Sequence, residues 1–266
     1  MQDLKVTLIQ TTLYWEQPSQ NYHHFEQLFE KISSPGDLLL LPEMFNTGFS
    51  INPECFAEEM DGPSVKFLKN QAKRMDVSIM TTLMIMEKNH FFNRLIYVDP
   101  DGRIQTYNKR HLFRLSEEFK IIRGGQDKLL IDLKGWKISP LICYDLRFPV
   151  WSKNRYVNGR YEYDLLVYLA NWPGSRSNVW KTLLTARAME NQSYVIGVNR
   201  IGMDGFETYH SGDSMILDPK GNFLFLGESG KEEIHTLVLS AEELKLFRDS
   251  FTVGMDWDRF TIAKTN

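Results

Sequence analysis

The residue best suited to covalent chemistry is Cys143, which follows an apolar run and precedes an abrupt polar turn. Leu141 and Ile142 favour burial, whereas Tyr144 and Asp145 cannot continue a buried strand, so the thiol is predicted to lie at the carboxyl end of a strand. In open α/β folds, ligands and catalytic groups collect at that edge of the sheet. A cysteine in this place is either a small core residue or a nucleophile.

Two further polar side chains follow segments with the character of strands or hairpins. Glu43 ends the apolar run of residues 38–42, and Lys109 lies in a loop after a predicted hairpin. A nearby ammonium group lowers the pKa of a thiol, and a carboxylate can take the thiol proton and later activate water. The ammonium group and the backbone N–H after the nucleophile can stabilise the oxyanion of a tetrahedral intermediate. Glutamate, lysine and cysteine therefore suffice for acyl transfer from an amide.

The elements that must position these residues are strands and helices in alternation. The predicted strands are residues 5–9, 37–41, 77–85, 92–98, 136–143, 164–169, 194–199, 214–217 and 222–226, and the predicted helices cover residues 25–32, 63–75, 149 to about 158, and 178–191. Each half contains a hairpin turn of the same kind, at residues 99–102 and 218–221. Since the halves share their order of elements and no linker separates them, we expect an internal duplication with one shared core.

Three segments in this order resemble the signature motifs of the nitrilase superfamily of carbon–nitrogen hydrolases. They are residues 41–45 (Leu-Pro-Glu-Met-Phe), 108–113 (Asn-Lys-Arg-His-Leu-Phe) and 142–149 (Ile-Cys-Tyr-Asp-Leu-Arg-Phe-Pro). The resemblance covers nearly the whole chain and implies an α/β fold, a four-layer αββα sandwich that forms homodimers or larger assemblies. It also implies a triad in which Glu43 is the base, Lys109 stabilises the oxyanion and Cys143 is the nucleophile.

Members of this superfamily usually carry a second glutamate in the active site, ahead of a glycine turn. The matching stretch is residues 117–125, and the spacing to Gly125 favours Glu118. Glu117 stays open as the alternative, and so does the interpretation that both are solvated acids on a loop.

Within the superfamily, the segments 143–149 and 171–173 are most similar to the omega-amidases. The resemblance implies hydrolysis of the terminal amide of 2-oxoglutaramate or 2-oxosuccinamate to acid and ammonia through a Cys143 thioester. The predicted substrate-binding residues are Tyr144, Arg147, which could grip a carboxylate bidentately, and Trp172, which would wall the pocket or lie in the core. Arg147 could instead pair with Asp145 or Glu43.

Composition and missing motifs exclude several other functions. The formal net charge of −3 and the dispersed basic residues argue against a nucleic-acid partner. No apolar run could span a membrane, no motif indicates a metal or cofactor, and two cysteines without a secretory leader favour a cytoplasmic protein.

Three alternatives stay open at this point. The chain could hydrolyse an N-carbamoyl compound or another small amide, or it could be a non-catalytic dimeric scaffold on the same fold. A cysteine–histidine hydrolase would use His111 or His210, although no pattern marks either as a base. We expect one domain over residues 1–266, with the apolar segment from about 240 to 266 at a dimer interface.

Overall fold

The fold is given by a computed structural model, which describes residues 1–263. Most elements that flank the three sequence motifs lie close to their predicted bounds. The strands are β1 (Leu4–Gln10), β2 (Leu38–Leu40), β3 (Ser78–Glu87), β4 (His90–Val98), β5 (Ile104–Asn108), β6 (Ile131–Leu133), β7 (Trp136–Ile142), β8 (Tyr156–Val157), β9 (Arg160–Tyr161), β10 (Leu165–Ala170), β11 (Tyr194–Asn199), β12 (Ile201–Met203), β13 (Tyr209–Ser211), β14 (Met215–Leu217), β15 (Phe223–Leu226) and β16 (Glu233–Leu239). The helices are α1 (Pro18–Glu30), α2 (Pro53–Phe56), α3 (Pro63–Met75), α4 (Glu118–Ile121), α5 (Pro149–Ser152), α6 (Ser177–Asn191) and α7 (Ala241–Ser250).

The two large sheets follow one plan, which confirms the predicted duplication. One sheet has the order β16-β1-β2-β3-β4-β5 and the other β6-β7-β10-β11-β14-β15, so each has six strands. In each sheet the second, third and fourth strands run parallel, and the three others pair antiparallel. Parallel strands bring their carboxyl ends to one edge, where polar side chains can gather.

Alternation along the strands produces four layers. In β2, Leu38 and Leu40 belong to the core cluster shared with the second sheet, whereas Leu39 belongs to the cluster that packs against α1 and α3. Successive side chains of a strand point to opposite faces, so this sheet is covered by the other sheet on one side and by helices on the other. On the far side, α6 packs Trp180 and Leu184 onto the second sheet. The αββα sandwich predicted from the resemblance is confirmed.

The helix predicted from residue 149 to about 158 is wrong, because α5 ends at Ser152. Asn154 is buried, and its side-chain amide donates hydrogen bonds to the carbonyl groups of Tyr163 and Asn191. Such bonds compete with helix propagation. The chain then turns at Asn158 and Gly159, both with positive φ, to form the hairpin β8–β9.

The last strand and helix are absent from the sequence-based prediction. Strand β16 returns to pair with β1, and α7 begins after Ser240, whose hydroxyl accepts a hydrogen bond from the Glu243 N–H. Within the predicted interface segment 240–266, Phe251 and Met255 are exposed, and positions 264–266 lie outside the described residues. Among residues 1–263, no helix combines the length and apolar character needed to cross a membrane.

Candidate active site

Cys143 lies at the carboxyl end of β7, a strand inside its sheet. Its φ of 42° is in the left-handed region, which a residue with a side chain adopts at a cost of about 1–3 kcal/mol. The strand ends there and a short 3₁₀ turn over Cys143–Arg147 begins. The Sγ atom lies 3.9 Å from the carbonyl oxygen of Asn171, which follows the neighbouring parallel strand β10. The sharp turn therefore presents the thiol at the predicted sheet edge.

A buried carboxylate holds this turn in place. Asp145 Oδ2 accepts hydrogen bonds from the Ile142 N–H at 3.1 Å and from the Tyr107 hydroxyl at 2.7 Å. Its Oδ1 accepts from the backbone N–H of His111 at 3.0 Å and lies 2.7 Å from His111 Nδ1. Because Tyr107 and His111 flank Lys109 in the sequence, Asp145 ties the lysine loop to the cysteine turn.

Glu43 reaches the same edge from the loop after β2 and is fully buried. Its Oε1 accepts hydrogen bonds from Asn93 Nδ2 at 2.8 Å and from Lys109 Nζ at 3.1 Å. Its Oε2 accepts from the Asn171 backbone N–H at 2.8 Å. Three donors thus fix this carboxylate next to the strand end that also contacts the thiol.

Lys109 connects Glu43 with Glu118, and all three side chains are buried. Lys109 Nζ lies 2.9 Å from Glu118 Oε1 and 3.2 Å from Oε2. Glu118 also accepts a hydrogen bond from the Phe113 N–H at 2.6 Å. Glu117, the alternative left open by the sequence, is exposed and pairs with Lys120 instead.

The charges in this cluster shift two pKa values upward. Burial lowers the pKa of Lys109, but the nearby Glu118 and Glu43 outweigh burial and raise it, so the lysine is cationic. Burial raises the pKa of Glu118, and repulsion from Glu43 adds to this, against the attraction of Lys109. One cation therefore faces two carboxylates in a dry environment.

The same charges keep the thiol protonated. Burial and the charge of Glu43 raise the pKa of Cys143 well above its usual value, and Lys109 only partly offsets them. Lys109 lowers this pKa, as expected, but burial and the charge of Glu43 outweigh it, and the sequence alone gives neither the burial nor the distances. A nucleophilic Cys143 must lose its proton to a base during attack rather than beforehand.

The thiol opens into a narrow pocket with a volume of about 60 Å³. Four of its eleven lining residues are phenylalanine, tyrosine or tryptophan, and the predicted residues Tyr144, Arg147 and Trp172 all contribute. The lining residues are Phe49, Lys109, Phe113, Cys143, Tyr144, Arg147, Asn171, Trp172, Pro173, Arg176 and His210.

Arg147 is exposed, and its guanidinium carbon lies 5.3 Å from the centre of the Trp172 ring. The alternative that Arg147 pairs with Asp145 or Glu43 is wrong. Asp145 is occupied by His111 and Tyr107, and Glu43 binds the donors described above. The guanidinium group thus stays available at the pocket.

Three residues near the thiol were given no role by sequence reasoning, namely Asn93, Asn171 and Arg176. Arg176 and Asn171 line the pocket, and Asn93 Nδ2 lies 2.8 Å from Glu43 and 3.4 Å from Glu118. A polar asparagine inside the apolar strand β4 was the available signal for Asn93, whereas nothing in the sequence marked Arg176. His210, a candidate base of the cysteine–histidine alternative, also lines the pocket.

Neither histidine has the environment of a base for the thiol. Burial and the neighbouring Arg200 lower the pKa of His210 to about 4, and its Nδ1 lies 3.1 Å from the Thr208 carbonyl oxygen. His111 is bound to Asp145, stacks on Phe148 with the ring centres 3.7 Å apart, and is not among the residues that line the pocket of the thiol. The carboxylates whose charges affect Cys143 are those of Glu43 and Glu118, and both raise the pKa of its thiol.

The sequence that forms this fold matches the model of one protein family. The family model for carbon-nitrogen hydrolases matches residues 5–248. The chain therefore belongs to the carbon–nitrogen hydrolase family, as the three motifs predicted.

Individual relatives narrow the comparison. The chain is 40% identical to the omega-amidase YafV of Yersinia enterocolitica, over 98% of this chain and 100% of that protein. It is 35% identical to the 2-oxoglutaramate amidase of Bacillus subtilis, over 94% of this chain and 96% of that protein. The crystal structure of XC1258 from Xanthomonas campestris, a CN-hydrolase superfamily protein, superposes with a TM-score of 0.96 at 39% identity and covers 99% of this chain and 100% of that one.

Proposed function

We propose that the protein is an amidase that hydrolyses the terminal amide of a small 2-oxo dicarboxylic acid monoamide, such as 2-oxoglutaramate or 2-oxosuccinamate. The observation that carries the proposal is the buried cluster of Glu43, Lys109 and Glu118 at a pocket that contains the Cys143 thiol. Relatives named as an omega-amidase and as a 2-oxoglutaramate amidase, each aligned over at least 94% of the chain, support the substrate class.

Acylation follows from the protonation states of the cluster. Cys143 Sγ attacks the amide carbon while Glu43 takes the thiol proton, because the raised pKa of the thiol leaves no preformed thiolate. Lys109 and the Tyr144 backbone N–H stabilise the oxyanion that forms. When the C–N bond breaks, Glu43 returns the proton to nitrogen, so ammonia leaves and a Cys143 thioester remains.

Deacylation uses the same groups in reverse order. A water molecule attacks the thioester carbon and gives a proton to Glu43, and the oxyanion again faces Lys109. The C–S bond then breaks, the sulfur regains the proton, and the carboxylic acid leaves. In this scheme Glu118 acts on Lys109, since its two oxygens lie 2.9 and 3.2 Å from Nζ and keep the lysine charged and fixed.

The pocket supports a short, linear and anionic substrate. Its volume of about 60 Å³ and its aromatic walls favour a slender chain. A substrate carboxylate that loses water in such a pocket requires a cation, and the guanidinium group of Arg147 is available on Trp172. Tyr144 packs edge-on against Phe113, another lining residue, with the ring centres 5.2 Å apart.

The test is ammonia release by the purified protein from a panel of compounds at equal concentration. We expect 2-oxoglutaramate and 2-oxosuccinamate to be hydrolysed with a higher kcat/KM than neutral amides, aliphatic nitriles and N-carbamoyl amino acids. If an N-carbamoyl compound or a nitrile turns over well and 2-oxoglutaramate does not, the substrate class is refuted. No turnover of any compound by the folded protein would favour a scaffold.

A homodimer is also part of the proposal. Phe251 and Met255 expose 55% and 62% of their surface, and Phe251 lines a shallow groove together with Met189, Val253 and Trp257. Closed two-fold dimers commonly bury such self-complementary apolar surface. Light scattering should give twice 31.1 kDa for the wild type and a smaller mass for Met255→Glu, whereas a wild-type monomer at micromolar concentration would refute the dimer.

A cytoplasmic location completes the proposal. Cys55 is exposed, Cys143 is partly exposed, and both are free thiols. A reducing compartment preserves thiols in that state.

A further inference from the structure

Two arginines at the pocket have no acidic partner. Within residues 1–263, Arg94, Arg155 and Arg248 pair with carboxylates. Arg147 and Arg176 line the pocket and each lies over an aromatic ring instead, at 5.3 Å from Trp172 and 5.4 Å from Phe113. In the described part of the chain neither forms an ion pair.

The rings of Trp172 and Phe113 contact the two arginine side chains without neutralising their charge. The Trp172 Nε1–H donates a hydrogen bond of 2.9 Å to the Arg176 carbonyl, so the ring beneath Arg147 also fixes the backbone of Arg176. A guanidinium group that lies over an aromatic ring loses little of its hydrogen-bonding capacity, because its donors lie in its own plane. The pocket therefore offers two planar sets of donors whose positions are restricted before a substrate enters.

The charge of the pocket has one sign. Its lining contains three cationic side chains, Lys109, Arg147 and Arg176, and no carboxylate side chain among the described residues. Glu43 and Glu118, which are not among the lining residues, pair with Lys109. His210 contributes no charge at neutral pH, since its pKa is lowered to about 4. The outer pocket therefore attracts anions and oxygen acceptors and repels a substrate cation.

We propose that Arg147 and Arg176 together bind the 2-oxo acid end of the substrate, and that Arg176 determines the preference for a 2-oxo acid over the corresponding 2-amino acid. This inference rests on the proposed amidase function. With the amide at Cys143, the carboxylate is the far end of the substrate and the 2-oxo oxygen is one carbon nearer. The more exposed Arg147 suits the carboxylate, and the half-buried Arg176 suits the 2-oxo oxygen.

The chemistry of position 2 explains the preference. A 2-oxo oxygen has lone pairs that accept hydrogen bonds from a guanidinium group. A 2-ammonium group offers only donors and adds a third cation beside Arg147 and Arg176, with no carboxylate of the pocket to pair with it. A methylene group leaves the donors of Arg176 without a substrate acceptor. The three substituents should therefore rank as oxo, methylene and ammonium.

The test compares three substrates that differ only at carbon 2, namely 2-oxoglutaramate, glutaramate and L-glutamine. We expect Arg176→Gln to lower kcat/KM for 2-oxoglutaramate about 10- to 100-fold. The loss for glutaramate should be several-fold smaller, because it shares the carboxylate but has no 2-oxo oxygen, and the ratio of kcat/KM between 2-oxoglutaramate and L-glutamine should decrease. Arg176→Lys keeps the charge but not the planar donors, so it should still reject L-glutamine while it loses part of the 2-oxo preference. Arg160→Gln, an equal charge change in the hairpin β8–β9 outside the pocket lining, should retain the wild-type ratios.

The outcomes separate the two claims. If wild-type protein does not hydrolyse 2-oxoglutaramate, the proposed function fails and this inference fails with it. If it does, and Arg176→Gln lowers kcat/KM for all three substrates by the same factor, only the assignment of Arg176 is overturned. Retained turnover of glutaramate shows that the variant is folded, and if Arg176→Gln is unstable the same comparison is made with Arg176→Lys.

Discussion

Asp145→Asn should destabilise the protein although it changes one atom of a residue outside the proposed triad. The two oxygens of Asp145 accept bonds from Ile142, Tyr107 and His111 at 2.7 to 3.1 Å. An asparagine has one oxygen, so its NH2 group must face two donors. His111 Nδ1 can adjust by moving its proton, but a backbone N–H loses its partner. At about 1–3 kcal/mol for a buried unsatisfied donor, plus the weakening of charge-assisted bonds, we expect a loss of about 2–4 kcal/mol.

Thermal unfolding and steady-state kinetics test this expectation. The free-energy loss corresponds to a decrease in Tm of roughly 4–7 °C for a chain of this size. Because the Ile142 bond anchors the residue before Cys143, kcat should fall about 10- to 100-fold. The control is Asp132→Asn, where an exposed carboxylate of β6 pairs with Lys137 and little stability is at stake. Unfolding of Asp145→Asn within about 0.5 kcal/mol of that control would refute the anchoring role.

Three further predictions concern the charged cluster. Lys109→Met should lower kcat about 10²- to 10³-fold, and it should lower Tm because the buried carboxylates of Glu43 and Glu118 lose the cation between them. Adding Glu118→Gln should restore Tm but not kcat. A double variant no more stable than Lys109→Met would contradict the claim that repulsion between the two carboxylates destabilises the single variant. Glu43→Gln should slow iodoacetamide alkylation of Cys143 relative to that of Cys55, because the variant lacks the carboxylate that takes the thiol proton. A faster reaction would mean that Glu43 acts only through its charge, which raises the pKa of the thiol. The Tm of the wild type should rise relative to that of Glu118→Gln as the pH falls from 7 towards 4.5. The reason is that the pKa of Glu118 is raised in the folded protein, so the folded state binds this proton at a higher pH than the unfolded chain does. Parallel plots of Tm against pH for the two proteins would contradict the raised pKa of Glu118.

The sequence was most informative where local pattern and global fold agree. Strand β2 could be predicted from an unbroken apolar run and helix α3 from an amphipathic run, and neither prediction depends on residues distant in sequence. Glu43 follows β2 and Cys143 follows β7, which are strands of two different sheets that share a core. Both residues lie at the carboxyl ends of parallel strands, as the motifs predicted. The prediction that α5 continues beyond Ser152 was wrong, because the hydrogen bond from Asn154 that competes with the helix goes to Asn191, which is distant in sequence.

Features of the site that depend on several segments at once were not predictable. Asn93 lies between two glutamates only because β4 packs beside the loops that carry them. Arg176 becomes a pocket residue through contacts with Phe113 and Trp172. The net pKa of Cys143 follows from the balance of burial and three neighbouring charges, and a sequence gives neither the burial nor the distances.

The most direct test of the central claim is ammonia release from 2-oxoglutaramate by wild-type protein and by Cys143→Ala. Cys143→Ala removes one sulfur atom from a half-buried side chain at a pocket wall, so no large cavity forms. The free energy of unfolding should therefore stay within about 1 kcal/mol of the wild-type value. We predict that the wild type releases one ammonia per substrate consumed and that folded Cys143→Ala releases none above the uncatalysed rate. Turnover by folded Cys143→Ala, or none by the wild type, would contradict the claim that this thiol cleaves the amide.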